Sequence, residues 1–321
     1  MTTLTSRTAS PGNRPLWLID VPVVLVAVVW GSSYLAAKEL ATGTTVIALL
    51  LLRFVVATPV MAVVAGRGIT RLSGREVAAG AVLGILLSGV LVLETFGVVH
   101  TSATNAGLLI SLTMIFTPLA EGVATRTRPT GAFIGAAALS VTGVALLTQG
   151  SGFTAPSSGD LLMLLAAVAR TVHVMAMSRM KAVRSTDSGA LTVVQFATAV
   201  LVFALASPFA AVSPVDAAAA YSPQQWAALL HLALMCTLFA FFVQMWAVRR
   251  TSPSRVSLLL GTEPLWAAVI GVAVGGDRPG PLGAIGAALV LIGTTWGRQA
   301  MAPPAAAEDR PAAASQPTGA V

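Results

Sequence analysis

Apolar residues in this chain run in long, nearly unbroken stretches, separated by short groups of glycine, proline and charged residues. An α-helix rises about 1.5 Å per residue, so crossing a hydrocarbon core of about 30 Å takes roughly 20 apolar residues. Ten stretches meet that requirement: 18–40, 44–65, 77–99, 104–124, 131–149, 158–178, 189–211, 225–247, 254–275 and 280–297. Their alanine and glycine content suits close contact between helices, because small side chains let backbones approach. The pattern predicts an all-α integral membrane protein of ten transmembrane helices. Residues 1–17 form a hydrophilic leading segment with no small-residue cleavage site after it, so the first span is read as retained. Residues 298–321, rich in alanine and proline, are read as a disordered tail.

Composition supports this reading. Of 321 residues, 56% are hydrophobic and 10% charged, and the mean hydropathy is +0.84. A soluble domain carries about a quarter charged residues, and a disordered chain lacks this much apolar material. The net charge of +7 does not point to nucleic acid, because the basic residues sit in short groups between apolar runs without a binding motif. They report topology instead. With the N-terminus in the cytoplasm, fifteen of the 19 Lys and Arg residues fall on the cytoplasmic side, including Arg67, Arg71, Arg75, Arg249 and Arg250. Only Lys38 and Arg278 fall opposite, and Arg53 and Arg170 lie within spans. The positive-inside rule then places both termini in the cytoplasm, in a multi-pass protein of the inner cell membrane.

The chain also repeats itself. Shifted by 150 residues, Thr101, Ser102, Leu108, Leu109, Arg128, Pro129 and Gly143 fall on Thr251, Ser252, Leu258, Leu259, Arg278, Pro279 and Gly293. The unit is five spans, and an odd number sends the second copy into the membrane from the other side. Residues 18–149 and 158–297 are thus expected to be inverted repeats, with a substrate site near the midplane between them.

Several short motifs resemble the EamA type of the drug/metabolite transporter superfamily, over roughly residues 18–297. They are Trp30-Gly31-Ser32-Ser33-Tyr34, Arg53-Phe54, Gly159-Asp160 with the following Leu and Ala positions, Glu263-Pro264-Leu265, and Gly283 to Gly293. The resemblance implies two five-helix repeats and outward movement of small organic metabolites: amino acids, their derivatives or drug-like compounds. Two departures stand out. Asp277 supplies an acidic residue in the last loop where the first repeat has Thr127, and Arg170 stands where the family usually has an aromatic.

Charges inside a span cost roughly 2.5–3.5 kcal/mol on insertion scales, so each needs a partner, a wet cavity or a function. Arg170 and His173, three apart on one helix, are candidates to bind a carboxylate, and His173 is a candidate to titrate. The structural alternative is that Arg170 pairs with Glu94 and locks two helices. Glu263 is the candidate coupling residue, since a mid-span carboxyl can take up and release a proton. Alternatively, Glu263-Pro264 is only a kink, as the proline leaves the carbonyl of Leu260 without its helical donor. Gln244, Trp30, Tyr34 and Trp266 complete the candidate substrate-binding set, with packing between helices as the alternative for both indoles. Arg53 is assigned to folding, because its span holds few other polar groups.

No catalytic or phosphate-loop motif is present, the three histidines are scattered, and Cys236 is the single cysteine. The sequence therefore predicts a secondary carrier and not an enzyme, with no cofactor and no metal. Its partners are a small-molecule substrate, protons as a candidate coupling ion and the lipid bilayer, in a monomer or homodimer. A lipid-linked cargo flippase, an intramembrane enzyme and a membrane sensor are the rival readings.

Overall fold

The computed structural model describes residues 16–101, 103–147, 157–183, 186–273 and 280–301, and these are helical with no strand among them. The leading segment, Asp277, Arg278 and the tail beyond Met301 lie outside the described residues. In chain order the helices of the first half are α1 (Trp17–Leu40), α2 (Val46–Ala65), α3 (Gly74–His100), α4 (Ala103–Ser111), α5 (Thr113–Thr125) and α6 (Gly131–Leu147). The second half contains α7 (Ser158–Arg179), α8 (Ser188–Ala206), α9 (Pro214–Ala220), α10 (Pro223–Ala233), α11 (Ala240–Val248), α12 (Pro253–Leu260), α13 (Glu263–Ala273) and α14 (Pro281–Ala300).

Helix starts are written into the sequence. Ser73 with Glu76, Ser157 with Asp160, and Ser222 with Gln225 form reciprocal capping boxes at α3, α7 and α10. Each box satisfies two backbone donors that the first turn leaves open, and a cap is worth about 1 kcal/mol. Five stretches are long and apolar enough to cross a membrane: Val46–Arg71, Gly74–His100, Ser158–Arg179, Ser188–Phe209 and Pro223–Val248. Shorter apolar helices accompany them at Trp17–Ser33, Leu109–Thr125 and Gly131–Leu146. Large apolar side chains such as Val63, Val123 and Phe209 point outward, each more than four-fifths exposed, as a lipid-facing surface requires. The protein is a multi-pass membrane protein.

Two predicted spans are not continuous helices. The stretch 104–124 breaks at Leu112, between α4 and α5, and 254–275 breaks at Gly261–Thr262, between α12 and α13. These breaks coincide under the 150-residue shift. Pro264 explains the second: α12 ends at Leu260, the residue whose helical donor a proline at 264 removes. A third irregularity was not foreseen. A π-helical turn, Leu234–Phe239, joins α10 to α11, and the short α9 fills part of the preceding connection.

Packing partners are exchanged between the halves. Helix α1 packs on α12 and α13, as α7 packs on α4 and α5; α2 packs on α8, and α6 on α14. The α6–α14 contact depends on two glycines that the repeat also superimposes. A Cβ on Gly143 would stand 2.7 Å from the Gly286 carbonyl oxygen, and one on Gly293 would stand 2.7 Å from that of Ala136. Backbone cannot retreat as a flexible side chain can. Gly293→Val is therefore expected to cost about 1–3 kcal/mol, read as a lower midpoint of thermal unfolding in detergent.

Aromatic rings fill the interior between α2, α8 and α11. Phe54 meets Phe196 edge-on at 5.2 Å and lies 5.7 Å from Phe203, and Phe241 links this group to Trp30 at 5.5 Å. Lipid tails are as apolar as these rings, so their contribution comes from shape and dispersion more than from exclusion of water.

Candidate functional site

Arg170, mid-way along α7, is the centre of the polar interior. Its Nη2 donates to Glu94 Oε2 of α3 at 2.9 Å, and its Nη1 lies 3.7 Å from Glu263 Oε2 at the start of α13. The guanidinium carbon sits 4.8 Å from the centre of the Trp30 ring of α1, within cation–π range. Four helices from both halves thus meet on one cation. Arg170 and Glu263 are nearly buried, with side chains 12% and 7% exposed. The break between α12 and α13 places Glu263 there, because it ends one helix and starts the next at the depth of Arg170.

The π-helical turn organises the neighbouring side. Its bonding pattern leaves backbone oxygens free to accept other donors, and the Cys236 carbonyl takes two. Trp30 Nε1 donates to it at 2.9 Å and Arg53 Nη2 at 3.0 Å. Arg53 Nε donates to the Thr237 hydroxyl, which itself bonds the Leu232 carbonyl at 2.8 Å. Trp30 and Arg53 are therefore held by backbone geometry.

A cavity of about 100 Å³ lies over this group. It runs from Ala41, Val98 and Val99, near the α1–α2 loop and the end of α3, down to Arg53, Glu94, Arg170 and Glu263. On the far side of Arg170 the space shrinks to about 10 Å³ among Val174, Gln244 and Ser257, at the lower limit for one water molecule.

Beyond that constriction the helix ends are clamped. Arg255, in the first turn of α12, donates Nε to Asp20 Oδ1 at 2.8 Å and Nη2 to Asp20 Oδ2 at 2.7 Å. Arg298 of α14 reaches the same carboxylate at 3.0 Å. Asp20 and Arg255 are buried. At the opposite end Asp160, in the first turn of α7, bonds the Thr101 hydroxyl ahead of α4. The two contacts join equivalent helix starts in exchanged halves, and the Asp20 end holds the ionic one.

The sequence candidates fall into several groups. Arg170, Glu94, Glu263 and Trp30 converge on the cavity. Gln244 lines the constriction, and its Oε1 is buried without a partner among the described residues. His173 does not join Arg170 at the cavity: its Nε2 lies 3.0 Å from Gln195 Oε1 of α8, and the ring is buried. Three residues along a helix leave an offset of about 60°, enough to turn His173 towards α8. Trp266 bonds Thr262 at 3.2 Å and packs against Gly31, outside the cavity lining. The side chain of Tyr34 lies outside the described residues. Sequence reasoning missed two features. Arg53 lines the cavity, although the lack of other polar groups in its span points only to folding, and Asp20 and Arg255 form a buried pair that no spacing in the chain marks. Among the described residues there is no cluster suited to a metal ion.

The EamA-like transporter family model matches residues 17–149 and, a second time, 157–296. A protein of Archaeoglobus fulgidus named as an uncharacterized transporter is 29% identical over 286 residues, covering 84% of this chain and 94% of its own. A protein of Streptantibioticus cattleyicolor named as a probable terminal-alkyne amino-acid exporter is also 29% identical, covering 88% of this chain and 92% of its own. A crystal structure superimposes with a TM-score of 0.72 at 18% identity, over 88% of this chain and 96% of that one. At that identity the likeness concerns the fold.

Proposed function

Because the chain belongs to the EamA-like transporter family, we propose that it exports amino acids or close derivatives across the inner cell membrane by alternating access. Ten spans, in two inverted repeats with both termini cytoplasmic, enclose one site centred on Arg170. The observation that carries this reading is a pair of ionic clusters, one at the cavity and one at a helix-end clamp. Arg170 is held by Glu94 and Glu263 at the floor of a cavity, and Asp20 with Arg255 and Arg298 closes the far end.

A carrier needs one closed end and one open end at a time, with the site between. In the proposed orientation the clamped end is cytoplasmic, so the structure corresponds to the state that releases cargo outward. Broken helices are a recurring feature of substrate sites in such carriers, and both breaks here line the space next to Arg170. Amino acids enter the reading through the Streptantibioticus cattleyicolor relative and through the paired charges. Glu263 shares Arg170 with Glu94 and is the proposed coupling carboxyl. Collapse of export on removing a pH gradient across everted vesicles is the expected result, and indifference to the gradient would remove that role.

The direct test compares amino acids inside and outside cells that overproduce or lack the protein. Export predicts a higher outside-to-inside ratio for at least one amino acid on overproduction and a lower one on deletion. An unchanged ratio across the full set contradicts it. A lipid-linked cargo flippase would instead change the distribution of a lipid between leaflets.

A further inference from the structure

We infer that Arg53 and Glu94 form the substrate's two contact points: Arg53 takes the carboxylate and Glu94 the ammonium of a free α-amino acid whose side chain lies on the apolar cavity wall. The inference rests on the amino-acid reading above and assigns the groups that recognise the substrate.

Donor availability separates the two arginines. Arg170 is held between two carboxylates and stacked on Trp30. Arg53 also faces the cavity, yet its bonds go to neutral groups, the Thr237 hydroxyl and the Cys236 carbonyl. No carboxylate lies within 4.0 Å of it among the described residues, whereas Arg170 has two and Arg255 and Arg298 share one. Its Nε and Nη2 anchor the group, and Nη1 has no partner among the described residues. An anchored guanidinium with an uncommitted amino group is built to receive an anion. Glu94 offers the complement. One oxygen accepts from Arg170, and the side chain is the most exposed of the ion-paired carboxylates in the cavity, at 21% against 7% for Glu263.

Net charge selects the class of solute. Arg53 and Arg170 balance Glu94 and Glu263, so the site is formally neutral. In a low-dielectric interior an isolated charge is expensive, so a bare cation or anion would unbalance the site. A zwitterion adds one charge of each sign and finds a partner for each. The remaining wall, with Leu49, Leu50, Leu91, Leu232 and Phe241, is apolar, which suits a hydrocarbon side chain of modest size.

The test uses the full-length protein in proteoliposomes with three labelled probes: L-norvaline, its methyl ester and its N-acetyl derivative. Wild type is expected to move norvaline at least ten-fold faster than either derivative, as kcat/KM. Arg53→Gln should bring the acid-to-ester ratio close to one while keeping the preference over the N-acetyl compound. Glu94→Gln should do the reverse. A purely structural role for Arg53 would lower all three rates together and leave both ratios unchanged, which overturns the assignment. If Arg53→Gln does not fold, wild type and Arg53→Lys still decide: equal rates for acid and ester in both overturn the inference while leaving amino-acid transport standing. Transport of none of the probes, with no other amino acid moved in the cell assay, removes the amino-acid reading itself.

Discussion

Arg170→Gln is expected to abolish transport, with a loss of about 100-fold or more, and to destabilise the protein. Removing the guanidinium leaves Glu94 and Glu263 facing each other in a nearly dry interior, and breaking a buried pair in this way costs about 3–5 kcal/mol. Loss of activity alone would not separate a folding role from a transport role. Adding Glu94→Gln and Glu263→Gln removes the stranded charges. The triple variant should regain most of the thermal stability and none of the transport. Wild-type flux through it would reduce Arg170 to a helix lock and would also contradict the transport roles given to Glu94 and Glu263.

The second large effect concerns the clamp. Asp20 gathers Arg255 and Arg298 at one end of the molecule, and the passage from the cavity narrows before it. Hydrogen bonds to charged groups are worth about 1.5–3 kcal/mol, so Asp20→Asn is expected to shift the balance of the two ends by about 10- to 100-fold. Single cysteines report the shift in a Cys236→Ala background, in detergent, with a water-soluble maleimide. Ser33 lines the cavity and Ser257 lies in the constriction on the Asp20 side. In the Asp20→Asn variant, labelling of Ser257→Cys should rise and that of Ser33→Cys should fall. A rise at both positions would mean loosening without alternation, and no change at either would mean that the clamp is not a gate.

Much of this architecture is legible in the chain because lipid imposes a simple rule. Helix starts at Ser73, Ser157 and Ser222 carry their caps in the adjacent residues, and the broken helix at Glu263-Pro264 follows from one missing N–H. The pairing of Arg170 with Glu94 was one of two alternatives open from cost alone, since a charge at that depth requires a partner. The Asp20–Arg255 pair was hidden for the opposite reason. Both residues lie at span ends, where water is an adequate partner, and 235 residues separate them. Arg53 was hidden because its partners include a backbone carbonyl in the π-helical turn, and no side-chain pattern marks that carbonyl as an acceptor. His173 shows the limit of spacing arguments: it shares a helix and nearly a face with Arg170, yet Gln195 on α8 takes its Nε2. Only the packing of the second element decides such a case.

Counterflow tests the carrier mechanism most directly. Proteoliposomes loaded with unlabelled norvaline are diluted into a trace of the labelled compound, and its entry is followed with time. A single site reached from either end in turn predicts that internal substrate speeds the return of the carrier, so label rises transiently above its equilibrium level. Entry that is unaffected by internal substrate, or that stays proportional to concentration without saturating, would contradict alternating access around Arg170.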